Sequence, residues 1–108
     1  MNDLSLMYKR ILSLIGTGKE NARQVSYIAS VLNLSNRQVR EAVSDMVVKH
    51  KISIGTSNSH GSCGYYFIST DDEKEETINN LKSRAFKILK RMNAISKAPL
   101  KGQEKIEL

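Results

Sequence analysis

Six consecutive residues, Asn33, Leu34, Ser35, Asn36, Arg37 and Gln38, constrain this chain more than any other stretch. Ser35 and Gln38 have capping-box spacing: the serine oxygen can accept from the amide three residues on, and the glutamine can reach back to the serine's own amide. A helix is therefore predicted to begin at Asn36. Just upstream, Asn33 stands where a tight turn needs a positive φ, and after glycine Asn tolerates that region best. Leu34 is the apolar plug of the turn.

The flanking residues supply two helices. Ile28, Ala29 and Leu32 share a face, and Ala29 is small enough for a second helix to cross close by. Beyond the turn, Val39, Val43, Met46 and Val47 repeat at three and four residues, which buries one side of the second helix. Asn36, Arg37, Arg40, Glu41 and Ser44 are left facing out. No glycine marks the end of this helix among Lys49, His50 and Lys51, although cations there suit the negative end of its dipole.

A change of period follows. Ile52 and Ile54 alternate with Ser53, and Tyr66 and Ile68 with Tyr65, Phe67 and Ser69, as in a half-buried β-hairpin. Between them GTSNSHGSCG, Gly55 to Gly64, is too small and glycine-rich to hold a core, so it is expected to protrude as a wing.

Before this region, Leu4, Met7, Tyr8, Ile11, Leu12 and Ile15 lie on one helical stripe, with Asn2 or Asp3 as cap and Gly16 and Gly18 as the stop. The GTGKE segment at 16–20 is not a phosphate loop, because Ser13 stands where that motif needs its first Gly and Glu20 where it needs Ser or Thr. It reads as a turn. Residues Asn21 to Gln24 are expected to form a very short strand.

After the hairpin, Thr70 and Glu73 repeat the capping-box spacing, and a long helix is predicted from Asp71. Ile78, Leu81, Ala85, Ile88, Met92 and Ile95 step by three and four in alternation, which is an a/d heptad seam, with Phe86 and Leu89 widening it. From Lys82 to Lys101 the chain carries Lys82, Arg84, Lys87, Lys90, Arg91, Lys97 and Lys101 and no acidic residue. Pro99 and Gly102 end the helix, leaving a tail. The expected organisation is a domain at 1–70, the helix at 71–98 and a flexible tail at 99–108. Two partners fit the seam, the first helix of the same chain or a second copy, and its regularity favours a homodimer.

A chain of 108 residues is too short to enclose a deep substrate cavity. The net charge of +6 favours a polyanionic partner. Without tryptophan and with few aromatics, a base-stacking platform for single strands is not expected. Cys63 has no cysteine to pair with, and no leader or long apolar run is seen, so a cytoplasmic location without membrane contact is expected. His60-x-x-Cys63 is half a metal site at most, since His50 is the one other histidine and a structural zinc needs four ligands. No cofactor and no catalytic constellation is expected.

These elements make an α+β, mainly α, fold: three helices and a β-hairpin wing, the winged helix-turn-helix, with a long C-terminal helix. The run from Arg37 to Ser69 resembles winged-helix domains of the biotin-operon-repressor type, and more closely the small helix-turn-helix proteins of phages and prophages of Gram-positive bacteria. The resemblance rests on RQVREAV at 37–43, GYYFIS at 64–69, the acidic helix start that follows and GTGKENA at 16–22. It departs from the pattern at His50, Lys51 and Ile52, where such domains usually carry a Gly and often a Pro.

The docking geometry of a helix-turn-helix implies sequence-specific binding of double-stranded DNA, with the helix at 36–49 in the major groove and a regulatory role in transcription or replication. Asn36, Arg37, Arg40 and Ser44 would read the groove; Lys49, Lys51 and Tyr27 would hold the backbone; Ser59 and His60 would serve from the wing. Gln38 is the weaker reader, being engaged as a cap. The rival reading is an interaction module, in which the long helix docks a host or phage protein of replication or transcription.

Overall fold

The computed structural model describes residues 4–57 and 64–101. The chain is α+β and mainly helical. Its elements are α1 (Leu6–Ser13), β1 (Gly16–Thr17), a 3₁₀ turn (Lys19–Asn21), α2 (Val25–Leu32), α3 (Asn36–His50), β2 (Ile54–Ser57), β3 (Gly64–Phe67) and α4 (Asp71–Lys97).

The first helix starts later than its apolar stripe suggests. Ser5 is extended and its Oγ accepts from the Tyr8 N–H at 3.2 Å, so Ser5 is the cap of α1; Asn2 and Asp3 lie outside the described residues. Leu4 and Ile15 flank the helix yet are buried with Ile11, while Met7 of the same stripe is exposed.

The turn between α2 and α3 is as expected. Asn33 is left-handed, at φ 57° and ψ 46°, and the Leu34 N–H donates to the Ala29 carbonyl at 2.9 Å. Gln38 N–H donates to Ser35 Oγ at 3.0 Å, and Ser35 N–H donates to Gln38 Oε1 at 2.8 Å, closing both halves of the capping box. Ile28, Ala29, Val39, Val43 and Met46 are buried, and Leu34 packs half-buried against the same core. Ala42 joins them, a small residue that the three-and-four count passed over. At its far end α3 closes on Lys51, which is left-handed at φ 57°; the Ile52 N–H reaches back to the Met46 carbonyl at 3.2 Å.

Strand β3 is the middle of a three-stranded sheet of order β1-β3-β2. It pairs antiparallel with β2, Ile54 opposite Phe67 and Ser57 opposite Gly64, and parallel with β1, Gly16 opposite Tyr66 and Thr17 opposite Phe67. Three expectations are corrected here. The short strand lies at Gly16–Thr17, where a turn was expected; of Asn21 to Gln24, only Arg23 contributes a single bridge, to Tyr65, and residues 19–21 are a 3₁₀ turn. Gly18, at φ 86°, turns the chain out of β1 and donates to the Phe67 carbonyl at 2.9 Å. Next, β2 begins at Ile54 and takes in Gly55, Thr56 and Ser57, which were assigned to the wing; Ser57 is buried. The rest of the wing, residues 58–63, lies outside the described residues.

The third correction concerns burial. The hairpin is not half-buried, for Tyr65 and Tyr66 point to opposite faces of β3 and both are buried. Tyr65 joins the helical core. Tyr66 faces Thr77, with the two hydroxyls 3.5 Å apart.

Residues as far as Thr77 form one compact unit and those from Ile78 onward a second. Unit one therefore takes in the first turns of α4, beyond the boundary expected at residue 70. Thr70 Oγ1 accepts from the Glu73 N–H at 3.1 Å, but the Glu73 carboxylate turns to Ser69 and Lys19 instead of closing the box on Thr70. In the second unit, the remainder of α4 exposes every seam residue: Ile78, Leu81, Ala85, Ile88, Met92 and Ile95, together with Phe86 and Leu89.

Candidate nucleic-acid interface

Helix α3 offers its outer face because its inner face is spent on the core. At about 100° per residue, Asn36, Arg37, Arg40 and Ser44 fall within one arc opposite Val39, Val43 and Met46, and all four are exposed. The capping box fixes the start of that arc, so the side chains of the first two turns are carried on an ordered backbone. Gln38 is engaged through its Oε1 in the box, as expected.

The two arginines differ. Arg37 Nε donates to Glu41 Oε2 at 3.3 Å, one turn along the helix. That pair is highly exposed, and such a surface pair contributes little. Arg40 has no ion pair among the described residues. It is the cation most available on the face. Val48 also lies on this outer side and is 63% exposed, an apolar group of the kind that can meet a thymine methyl. The core-facing count gave no reason to single it out.

Lys49 is not part of that arc. It lies on the flank near Asp45, with Nζ 3.3 Å from Asp45 Oδ1, and Asp45 accepts from the Tyr8 hydroxyl of α1 at 2.8 Å. The Tyr8 hydroxyl, and after it Lys49, holds the Asp45 carboxyl below its ordinary range, while Asp45 and burial push the Tyr8 phenol up. Lys49 is thus engaged within the protein. Lys51 is exposed, and its Nζ donates to the Val48 carbonyl at 2.9 Å.

Tyr27 is exposed on α2, where it meets a residue not foreseen as functional. The Arg23 guanidinium sits 5.3 Å from the Tyr27 ring centroid, a cation stacked over an aromatic face. Arg23 is held from behind, since its backbone exchanges two 2.8 Å hydrogen bonds with Tyr65 of β3. No side chain caps the first turn of α2, so Arg23 stands beside free amide donors at the positive end of a helix dipole. The spacing of Arg23 and Tyr27, four apart, was the available signal, but it matters only when Arg23 is pinned to the sheet.

Ser59 and His60, named for the wing, and Cys63 lie outside the described residues. Among the described residues no group of three or more His, Cys, Asp or Glu is placed to hold a metal ion, and no helix is long and apolar enough to cross a membrane. Compared with protein-family models, with curated proteins and with solved structures, the chain matches none.

Proposed function

We propose that this chain is a winged helix-turn-helix protein that binds double-stranded DNA through α3 in the major groove, without catalytic activity. The observation that carries the reading is the exposed arc of Asn36, Arg37, Arg40 and Ser44 on a capped helix that follows a left-handed Asn33 turn. Recognition helices present their N-terminal residues to base edges, and arginine pairs bidentately with guanine O6 and N7. Arg40 and Asn36 carry base readout in this reading. Arg23, Tyr27 and Lys51 contact the phosphates, and the net charge of +6 draws the duplex in. A regulatory role in bacterial or phage transcription or replication fits such a module.

The test is duplex binding across a salt series. Arg37→Ala with Arg40→Ala lowers affinity and, if both touch phosphate, reduces the slope of log K against log salt by about two units. An unchanged affinity and slope would remove α3 from the interface. A library of random duplexes, selected for binding, then identifies the bases read.

One observation favours a second reading, that the long helix docks a replication or transcription protein: the apolar side chains from Ile78 to Ile95 are all exposed. A chain that ignores duplex DNA on a gel shift while its α4 captures such a component supports that alternative.

A further inference from the structure

We infer that the apolar face of α4 from Ile78 to Ile95 pairs with the same face of a second copy, the two helices running antiparallel. The inference is independent of DNA binding. The face is open along its length, from Leu81 at 52% to Ile95 at 67% exposed. Its strict alternation of three and four residues suits a helical partner, for a lipid surface imposes no register.

The partner is argued from charge. Helix α4 opens with Asp71, Asp72, Glu73, Glu75 and Glu76, and from Lys82 to Lys97 its charges are all positive. One helix thus carries both halves of a complementary pattern. Parallel alignment sets like charge against like along the whole seam. Antiparallel alignment brings the acidic opening of each helix beside the basic end of the other and opposes the two helix dipoles.

Packing gives the same orientation. In a parallel pair Ala85 meets Ala85 and the central layer is hollow. Antiparallel layers set Ile78 against Ile95, Leu81 against Met92, and Ala85 against Ile88, each occurring twice, so no layer joins two small residues. Ile88 and Ile95 also occupy d positions, where parallel two-stranded coils favour leucine. The register does place Arg84 opposite Arg91 of the second copy, and that repulsion keeps the pairing weaker at low salt.

Sedimentation equilibrium of the full chain tests the pairing, and disulfide trapping tests its direction. The expected species is a dimer. Ile88→Asp should weaken it by more than about tenfold, because a carboxylate would be buried in an apolar layer, while leaving thermal unfolding of residues up to Thr77 unchanged. In a Cys63→Ser background, Ala85→Cys and Ile88→Cys proteins should cross-link readily when mixed and poorly alone. Self-linking of each variant without mixed product would overturn the orientation. A monomer at all accessible concentrations would overturn the pairing, and a monomer that cosediments with phosphatidylglycerol vesicles would assign the face to an anionic lipid surface instead.

Discussion

Glu73 Oε2 accepts the backbone N–H of Lys19 at 2.9 Å, and through this one carboxylate the start of α4 is tied to the loop that follows β1. Its other oxygen accepts from the Ser69 N–H at 2.8 Å and the Ser69 hydroxyl at 3.1 Å. Beside it, Lys19 Nζ lies 2.7 Å from Glu76 Oε2. Residues 19 and 73 are far apart in the chain, so the cluster closes a long loop with hydrogen bonds to a charged group, stronger than those to a neutral one.

Acid should loosen that tie. The amides of Ser69 and then Lys19 hold the Glu73 carboxyl below its ordinary range, as the Tyr8 hydroxyl does for Asp45. For a carboxyl with a depressed folded pKa, the stabilisation is complete above the unfolded value, near about 4, and is lost as pH falls through the folded value. The melting temperature is therefore expected to hold level from neutral pH down to about 5 and to decline below about 4. Glu73→Gln should lower it at pH 7 and flatten the decline, as thermal melts by circular dichroism will report. A wild-type curve with no acid limb would refute this account.

Gly55 is where the sheet has no room. A Cβ there would lie 2.7 Å from Thr77 Oγ1 and 2.7 Å from Cζ of the buried Tyr66 ring. Gly55→Ala should destabilise by about 1–3 kcal/mol, the usual range for overpacking. Thr77→Ala in the same chain should recover part of the loss. Urea unfolding of the single and double variants measures both, and additive effects would mean that the two residues are not in contact.

Lys51 carries the left-handed conformation that helix ends usually give to glycine. A side chain with a Cβ pays about 1–2 kcal/mol there, partly offset because glycine adds freedom to the unfolded chain. Lys51→Gly is expected to stabilise by about 0.5–1 kcal/mol on that balance. Asn33→Gly, at the same φ of 57°, should change little, since asparagine tolerates the region. A destabilised Lys51→Gly protein would show that the Lys51 Nζ bond to Val48 outweighs the backbone strain.

The two arginines of α3 should respond unequally. Arg37 shares its charge with Glu41, whereas Arg40 has no acidic partner among the described residues. Arg40→Ala should therefore cost more duplex affinity than Arg37→Ala, about tenfold or more if a bidentate base contact is lost. Glu41→Gln should raise affinity by removing a negative charge that faces the phosphates. Equal losses for the two arginines, with no gain for Glu41→Gln, would argue against base contact by Arg40.

Much of the helical framework was legible because its causes are local. The Ser35–Gln38 box, the Asn33 turn, the start of α4 at Asp71 and the buried repeat of α3 all involve residues within a turn or so of one another, and each stands as expected. The candidate face followed from the same periodicity. What that periodicity did not reveal was its division of labour. Lys49 is taken by Asp45 because Tyr8 of another helix positions that carboxylate, and Arg23 rises beside Tyr27 because the sheet holds its backbone.

The sheet depended on partners distant in the chain. Gly16 and Thr17 become a strand only because Tyr66 and Phe67 offer them hydrogen bonds, and no residue near Gly16 announces it. Alternation implied one wet face for the hairpin, yet Tyr66 is covered by Thr77 of a helix whose own pattern pointed elsewhere. Residue types and spacing were sufficient for caps, turns and helix faces, where the interacting groups are neighbours by covalent geometry. Strand pairing, the dry second face of β3 and the pairing state of each cation required the folded chain, because those energies arise between groups that only packing brings within reach.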